Sequence, residues 1–375
     1  MADYLSKRGA NVAPSYASVG DLPASTEVGD LVFVDGQLGI AVDASTFKTC
    51  DKTDIATHPI LGDNYGVLAG GYNVNSGSTT IQRYSHSSDG NSVDTTADLT
   101  TAKHGGGSAQ TLAKGYALGG QQGGTEIYSI EVYTFANSST NATTMGVTTP
   151  SLSGNTAFNE GSSGYSDTHM YYHGTRTGTY NNGYPTSGNK KNVKTAFTST
   201  SGSMTDVGTL TGFSYGGTGG HSDTHGYADC GNNYSGASSS RPNNVSRYAF
   251  ASDGNASAYS SVGSSHEIYF SSIADSREKH YMGGGRGAGD AYLSSFSHAS
   301  GGTATSTNSL VSARGYIAST VSSTHVYFAS GSSAFYDNNE KIAFASDTSA
   351  ASAVGSIVVA TASSAQDYSM FQFQH

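Results

Sequence analysis

Short runs of alternating apolar and polar residues recur along the chain, and turn residues follow them. Ile81–Tyr84 leads into Ser88–Asn91, and Val245–Phe250 leads into Ser252–Asn255, both of which have the sequence Ser-Asp-Gly-Asn. An alternation of period two predicts a half-buried strand, and Asp-Gly after it predicts a hairpin turn with positive φ. Asp89 and Asp253 are therefore interpreted as turn formers. Weaker copies of the alternating run lie at 130–135, 193–197, 293–296 and 342–344.

A second pattern precedes each alternating run, and it opens a strand with small or aromatic residues. Its best copies are Gly66–Gly71 and Gly115–Gly120. Looser copies are Met170-Tyr171, Gly226-Tyr227, Tyr281-Met282, Val326-Tyr327 and Tyr368–Phe371. Together the two patterns predict about four short strands in every fifty residues or so, which is typical of a propeller blade. An ordinary β-sandwich and a solenoid are the rival interpretations.

The number of blades depends on how the two ends of the chain are used. Six copies of the alternating run predict at least six four-stranded blades, and Tyr368–His375 remains as an unpaired segment. An N-terminal hairpin is predicted from Val28–Val34 and Leu38–Val42. If it joins Tyr368–His375, the all-β ring has seven blades, which is the preferred expectation; otherwise it has six. Residues 1–60 are then an arm or hairpin, and 61–375 the propeller.

Composition limits the classes of function. The net charge is −10, and only 12% of residues are charged, so no basic surface is expected to bind nucleic acid. No apolar run is long enough to insert in a membrane, and no secretory leader is recognised at the start. The two cysteines, Cys50 and Cys230, do not make a disulfide framework, so synthesis in a cytosol is expected.

Certain motifs resemble known families. A glycine pair followed by an apolar-x-x-Tyr strand resembles the kelch repeat, although this chain has no Trp. Arg247–Asn255 and Thr224–Tyr227 are more similar to propeller-type structural proteins of tailed phages, particularly marine ones. This resemblance covers roughly residues 61–375. Ser15–Pro23 with Val28–Val34 looks like a terminal element of phage tail and fibre proteins, which implies an attachment arm; an ordinary strand pair is the alternative.

Candidate chemistry is sparse. His169, His225, His280 and His325 suggest a shared metal site, but equivalent places on adjacent blades are expected about 10 Å apart, too far for one ion. Kelch-like oxidases contain a Cys–Tyr crosslink, and Cys230 lies near Tyr227, but one cysteine among 25 tyrosines is little evidence for such a crosslink. Gly283–Gly287 is glycine-rich like a phosphate-binding loop but lacks the Lys-Ser/Thr that such a loop requires. Glycoside hydrolysis requires two carboxylates close together, whereas the glutamates of this chain are scattered over different repeats. No enzyme activity, cofactor or metal is expected.

The sequence and the resemblance together favour a structural protein of a phage particle. It is expected to be made in the host cytoplasm, to assemble as a homo-oligomer with other virion subunits, and to serve as fibre, tail appendage or capsid decoration. Exposed loop aromatics could contact a host surface glycan; the candidates are Tyr172, Tyr180, Tyr184 and Tyr234. A free carbohydrate- or protein-binding propeller is the alternative, and a kelch-type oxidase a weaker one.

Overall fold

The structure is a computed structural model of the chain. It describes residues 15–16, 31–34, 37–41, 47–49, 65–73, 76–111, 113–123, 125–135, 139–150, 161–181, 184–212, 219–229, 233–235, 238–240, 244–262, 272–275, 278–285, 291–315, 317–322, 324–329, 331, 338–346, 349–357 and 366–371. The chain divides into two compact units, Met1–Leu61 and Gly62–His375.

The first unit contains a four-stranded sheet. Its strands are β1 (Ser15–Tyr16), β2 (Leu31–Val34), β3 (Gln37–Ala41) and β4 (Phe47–Thr49), in that order. β1 is parallel to β2, whereas β2, β3 and β4 are antiparallel to their neighbours. The pairing of β2 with β3 confirms the hairpin predicted in this part of the sequence, with slightly shorter strands.

Three sheets of the second unit have four strands each. The first consists of β33 (Gln366–Phe371), β5 (Tyr65–Asn73), β6 (Ser76–Ser85) and β7 (Val93–Lys103). The second consists of β14 (Ser162–Tyr165), β15 (His169–Asn181), β16 (Tyr184–Ala196) and β18 (Thr205–Thr209). The third consists of β29 (Ala318–Val321), β30 (His325–Ala329), β31 (Asn338–Ala343) and β32 (Ser352–Ser356).

Two larger sheets contain the same four-stranded arrangement. One has β8 (Gly107–Gln110), β9 (Lys114–Leu118), β12 (Ser129–Thr134) and β13 (Thr143–Thr148), with β17 (Gly202–Ser203) parallel to β13. The other joins two halves through the parallel pair β24/β28. Its first half consists of β19 (Gly219–His221), β20 (His225–Asp229), β23 (Asn244–Ala249) and β24 (Ser257–Val262). Its second half consists of β25 (Ser272–Asp275), β26 (Lys279–Gly283), β27 (Tyr292–Ser297) and β28 (Gly301–Ser309).

The remaining described elements are small. β10 (Gln121–Gln122) pairs with β11 (Thr125–Glu126), and β21 (Asn233–Ser235) pairs with β22 (Ser238–Ser240). Within the described ranges, helical structure is limited to one 3-10 turn, Phe344–Ser346. The protein is therefore all-β, as the alternating sequence pattern predicts.

The first strands of the four-stranded groups meet one another in a cycle. They touch in the order β33, β8, β14, β19, β25 and β29, and β29 touches β33 again. Small antiparallel sheets arranged around a ring of first strands give this unit a β-propeller-like architecture. We refer to each four-stranded group by its first strand, for example the β14 group.

The C-terminal strand completes the sheet of the first repeat. β33 pairs antiparallel with β5, so that Phe371 lies opposite Val67 and Ser369 opposite Ala69. The preferred count of seven blades required this segment to pair with the N-terminal hairpin. Within the described ranges β2 and β3 pair instead with each other and with β1 and β4. The pairing that would give a seventh blade is thus absent from the described strands.

Buried tyrosines pack the strand groups against one another. The second strand of five groups carries a buried tyrosine at an equivalent place, and these are Tyr116, Tyr171, Tyr227, Tyr281 and Tyr327. Apolar clusters extend from one group to the next: Tyr116 and Ile130 of the β8 group pack with Met170 and Val193 of the β14 group. Burying these large rings between neighbouring sheets supplies much of the driving force for assembling the ring.

The Ser-Asp-Gly-Asn turn fastens the β19 group to the β14 group. Asp253 Oδ1 forms an ion pair with Lys194 Nζ at 2.5 Å, and Asn255 Oδ1 accepts a hydrogen bond from the backbone N–H of Thr209 at 3.1 Å. Gly254 donates its N–H to the Val207 carbonyl at 2.8 Å. The turn predicted from sequence is therefore also a connection between sheets, which we call the internal clasp.

An equivalent connection, the closing clasp, joins the last group of the chain to the first. Lys341 of the β29 group pairs with Asp89, and Asn91 Oδ1 accepts the N–H of Ser356 at 2.9 Å. Ser92 donates its N–H to the Ser356 carbonyl at 2.8 Å. Because the partners are far apart in sequence, these bonds hold the two ends of the repeat array together.

Candidate functional site

A buried cluster of ionisable side chains lies where the β19 and β25 groups meet. Asp275 is the last residue of β25, His280 lies in β26, and His298 follows β27. His221, the last residue of β19, approaches from the neighbouring group. Asp275 and His280 are fully buried, His298 is 7% exposed and His221 5% exposed. We call these four residues the Asp275 cluster.

Antiparallel pairing brings the three side chains of the β25 group together. Asp275 lies directly opposite His280 in the β25/β26 ladder, and His280 lies opposite Phe296 in the β26/β27 ladder. His298 is two residues beyond Phe296, and its N–H donates to the Glu278 carbonyl at 2.8 Å. Directly opposed residues in adjacent strands have Cβ atoms about 5 Å apart, so the register alone makes these side chains neighbours.

Both imidazoles of the β25 group point a nitrogen at the same carboxylate oxygen. His280 Nδ1 is 2.5 Å from Asp275 Oδ1, and His298 Nε2 is 3.1 Å from that atom. One ligand atom from each of the three residues lies within 4.8 Å of the others. Two imidazole nitrogens and a carboxylate oxygen at such separations form a donor set suited to a transition-metal ion.

The other carboxylate oxygen reaches across to the β19 group. Asp275 Oδ2 accepts the backbone N–H of His221 at 2.8 Å, and His221 Nδ1 lies 3.9 Å from the same oxygen. Gly220 precedes this contact, and a Cβ there would overlap the Asp275 carboxylate and lie 2.6 Å from His280 Cε1. Glycine is thus required for the backbone to approach the cluster so closely.

Aromatic rings enclose the cluster on several sides. The Tyr227 ring stacks on His298 with centroids 5.1 Å apart, and Phe296 lies 4.7 Å from His280. Tyr165 of the β14 group packs on His221 at 3.8 Å. These rings fix the imidazole planes and exclude water, which strengthens electrostatic interactions inside the cluster.

The charge state of Asp275 follows from opposing influences. Burial on its own raises the pKa of the carboxyl, but the charge of His280 and hydrogen bonds from His280 and His298 outweigh burial and lower the pKa well below its usual range. Burial raises the pKa of the neighbouring Tyr165 hydroxyl, and the Asp275 charge adds to this shift. The cluster therefore holds a carboxylate anion in a buried polar site.

The four histidines grouped in the sequence analysis are not equivalent. His169, His225 and His325 open corresponding strands, and each imidazole bonds the hydroxyl of the preceding threonine at 2.7 to 2.9 Å. The corresponding residue of the β25 group is Lys279, so His280 is displaced by one position. Because neighbouring residues of a strand face opposite sides of the sheet, this shift turns His280 into the interior.

The expected site at loop tyrosines is corrected for one residue and untested for the others. Tyr172 lies within β15 and is fully buried in an apolar cluster, so it is not an exposed loop aromatic. Tyr180, Tyr184 and Tyr234 lie in β15, β16 and β21, and their side chains are outside the described residues. Cys230 is also outside the described part of the chain.

Sequence reasoning missed Asp275 and His298 altogether. Asp275 belongs to a short strand without an alternating pattern, and His298 follows β27 in Ser297–Ser300, which resembles many other turns of the chain. The usable signal was the pair Asp275 and His280, because a tight hairpin between them places the two residues opposite each other.

Comparisons with known proteins leave the chain unassigned. No protein-family model matches it, and no curated protein of significant sequence similarity was found. In the described ranges, no helix is long and apolar enough to cross a membrane.

Proposed function

We propose that the second unit is a closed six-bladed propeller that acts as a rigid, non-catalytic component of a tailed-phage particle. In this role the ring presents its loops to other virion subunits or to a host surface glycan, as part of a fibre, a tail appendage or the capsid exterior. The protein is assembled in the host cytoplasm and acts in several symmetric copies.

The count of six blades is supported by the strand groups and their order. Four-stranded groups begin with β33, β8, β14, β19, β25 and β29, and neighbouring first strands touch around the whole cycle. The C-terminal strand pairs with β5, so the first group has four strands like the others although its strands come from both ends of the described chain. The last and the first group then meet as any two successive groups do.

The observation that carries the proposal is the chemistry of that last contact. Beside the closing clasp, where the β29 group meets the first group, Tyr84 bonds Thr320, and His86 stacks on Tyr327 with ring centroids 4.5 Å apart. The Tyr327 hydroxyl also donates to the His86 carbonyl at 3.1 Å. Buried aromatic side chains and side-chain hydrogen bonds thus close the propeller where its last group meets its first. Such closure suits a subunit that must keep its shape outside the cell.

Buried ion pairs add to this rigidity at two equivalent places. Lys103 pairs with Glu131 at 3.0 Å, and Arg314 pairs with Glu340 at 3.0 Å, with all four side chains fully buried. Burial lowers the pKa of Lys103, and the charge of Glu131 opposes that shift. Separating a buried ion pair leaves an uncompensated charge away from water, so these two pairs oppose local opening of the sheets.

The resemblance to phage propeller proteins supports the particle assignment. Its best motif, Arg247–Asn255, contains the internal clasp, and its near copy, Arg83–Asn91, contains the closing clasp. The residues that resemble phage proteins are therefore those that join the blades. The net charge of −10 agrees with a subunit that does not contact nucleic acid.

The decisive experiment asks where the protein resides. Antibodies raised against the purified chain should label intact particles of the virus that encodes it, in a regular pattern by electron microscopy. The same protein should co-sediment with particles in a density gradient and appear in their mass-spectrometric inventory. Recovery only from soluble host fractions, with particles of normal composition, would overturn the proposal, and selective binding on a glycan array would then favour the free carbohydrate-binding propeller.

A further inference from the structure

We propose that the Asp275 cluster is a zinc site, with Asp275, His280 and His298 as ligands and His221 as the nearest candidate for the fourth position. Nothing in the proposed structural role requires an ion here, so this inference stands independently of it. The site would link two neighbouring blades through a single ion.

The separations of the donor atoms are close to those that zinc imposes. Ligand atoms about 2.0–2.1 Å from a tetrahedral zinc lie roughly 3.3 Å from one another. His298 Nε2 and Asp275 Oδ1 are 3.1 Å apart, and His280 Nδ1 and Asp275 Oδ1 are 2.5 Å apart. A displacement of His280 by about 1 Å, within reach of a small side-chain rotation, would admit the ion.

The donor chemistry selects the class of ion. Two imidazoles and one carboxylate suit zinc and its transition-metal neighbours, whereas calcium and magnesium prefer oxygen ligands throughout. The ligands come from β25, β26 and the turn after β27, which are fixed relative to one another by the sheet. With His221 as the fourth ligand the coordination sphere would be closed, which is the property of a structural zinc site.

The surroundings supply the support that metal ligands require. Asp275 is held through its second oxygen by the backbone N–H of His221, so the oxygen facing the imidazoles has a fixed direction. Tyr227 and Phe296 pack against the two imidazole rings. Outer contacts of this kind orient ligands and raise metal affinity.

The test measures zinc binding by the full-length, untagged chain. The protein is dialysed against a chelator, desalted, exposed to Zn²⁺ and analysed for bound metal by inductively coupled plasma mass spectrometry. We expect one zinc per chain, and replacement by Co²⁺ should give the intense visible bands of four-coordinate cobalt. Failure of the wild-type chain to retain stoichiometric zinc would overturn the proposal.

Matched variants locate the bound ion. H298Q should weaken zinc binding by at least about tenfold, the loss that removal of even an outer-shell partner can cause. H325Q is the control, because His325 opens an equivalent strand and its imidazole bonds the neighbouring Thr324 hydroxyl, outside the cluster. Equal zinc retention by both variants would mean that the metal binds elsewhere and would refute the assignment.

A further measurement keeps the test decisive if H298Q folds poorly. X-ray absorption at the zinc edge of the wild-type complex should show at least two imidazoles and light-atom oxygen donors. Sulfur in the coordination shell would point to Cys50 or Cys230 instead and would overturn the proposal. Circular dichroism of each variant without metal establishes whether the sheets have formed.

Discussion

The internal clasp and the closing clasp have nearly the same contacts but different positions in the topology. In each, a Ser-Asp-Gly-Asn turn meets a lysine and the outer strand of the preceding group, through Lys194 at one joint and Lys341 at the other. The internal clasp joins groups that are consecutive in the chain. The closing clasp joins groups at opposite ends of it, so its loss opens the ring instead of loosening one neighbour.

We call the contact between the β14 and β19 groups the internal joint, and the contact between the β29 group and the first group the closing joint. The two joints also differ in the hydrogen-bond partners of their buried tyrosines. At the internal joint the Tyr248 hydroxyl is 2.5 Å from His173 Nε2, whereas at the closing joint the equivalent Tyr84 bonds Thr320. Burial and the charge of the clasp aspartate raise the pKa of the facing tyrosine, Tyr171 or Tyr327, to about 12 in both cases. Equivalent repeats thus preserve the packing and vary the hydrogen-bond partner.

The largest effect is expected from removing the strand that completes the first group. Deleting residues 366–375 leaves β5 with an exposed edge and takes away one of the first strands of the ring. We expect loss of the cooperative thermal transition, because small domains have only roughly 5–15 kcal/mol of stability to lose. Circular dichroism melting measures this. Deleting only 372–375, which leaves β33 intact, is the control, and equal melting of the two truncations would contradict completion of the first group by β33.

A matched pair of glycine substitutions compares the two joints directly. Gly208 has φ 153° and faces the Gly254 carbonyl, while Gly355 has φ 156° and faces the Gly90 carbonyl. Alanine at either position adds backbone strain and an overlap with the facing turn, which we expect to cost roughly 2–4 kcal/mol. Chemical denaturation measures the loss. G355A should also increase proteolysis near the chain ends, which G208A should not.

The control for these glycines lies in the turns themselves. Gly254 has φ 156°, but a Cβ there would meet nothing within 4 Å. G254A should therefore cost only the strain of the backbone, on the order of 1 kcal/mol. If G254A and G208A were equally destabilising, close contact between the sheets would not explain the requirement for glycine at the joint.

Acid should weaken the internal joint through His173. Burial lowers the pKa of this imidazole to about 3, and its two nitrogens hydrogen-bond Tyr248 through Nε2 and Ser162 through Nδ1. Below the ordinary pKa of about 6.5 the unfolded chain takes up a proton that the folded chain refuses, so stability falls as pH falls. The expected loss for this one group is roughly 2 kcal/mol between about pH 7 and pH 5.

The measurement is the free energy of unfolding across that pH range for the wild type and H173Q. The variant should be less stable at neutral pH but should show a shallower decline on acidification. Parallel curves for the two proteins would remove His173 as the origin of the pH dependence. H325Q serves as a control, since His325 is only partly buried and its imidazole bonds the Thr324 hydroxyl rather than a buried tyrosine.

The smallest effects are expected from the clasp lysines. Lys194 and Asp253 are 21% and 52% exposed, and Lys341 and Asp89 are 22% and 33% exposed, so solvent screens both ion pairs. K194Q and K341Q should each cost about 0.2–1 kcal/mol, and added salt should reduce the difference from wild type. If K341Q alone lowered the free energy of unfolding by several kcal/mol, the ion pair rather than the backbone hydrogen bonds would be the main stabilising contact of the closing clasp.

Much of the fold could be predicted from local patterns. The alternation in Ile81–Tyr84 and Val245–Phe250 gave strands β6 and β23, and the glycine-ended runs gave β5 and β9. Tyr172 was placed wrongly because the Gly- and Thr-rich stretch after it resembles a loop. It is in fact part of a hairpin whose two strands have 13 residues each.

The sequence by itself determined where strands and turns form, since these depend on alternation and on residues that tolerate positive φ. Tertiary structure decided which strand β33 would pair with, and it brought Asp275, His280 and His298 to one point. The physical reason is that pairing partners and strand register are non-local, and a shift of one residue reverses the face of every side chain.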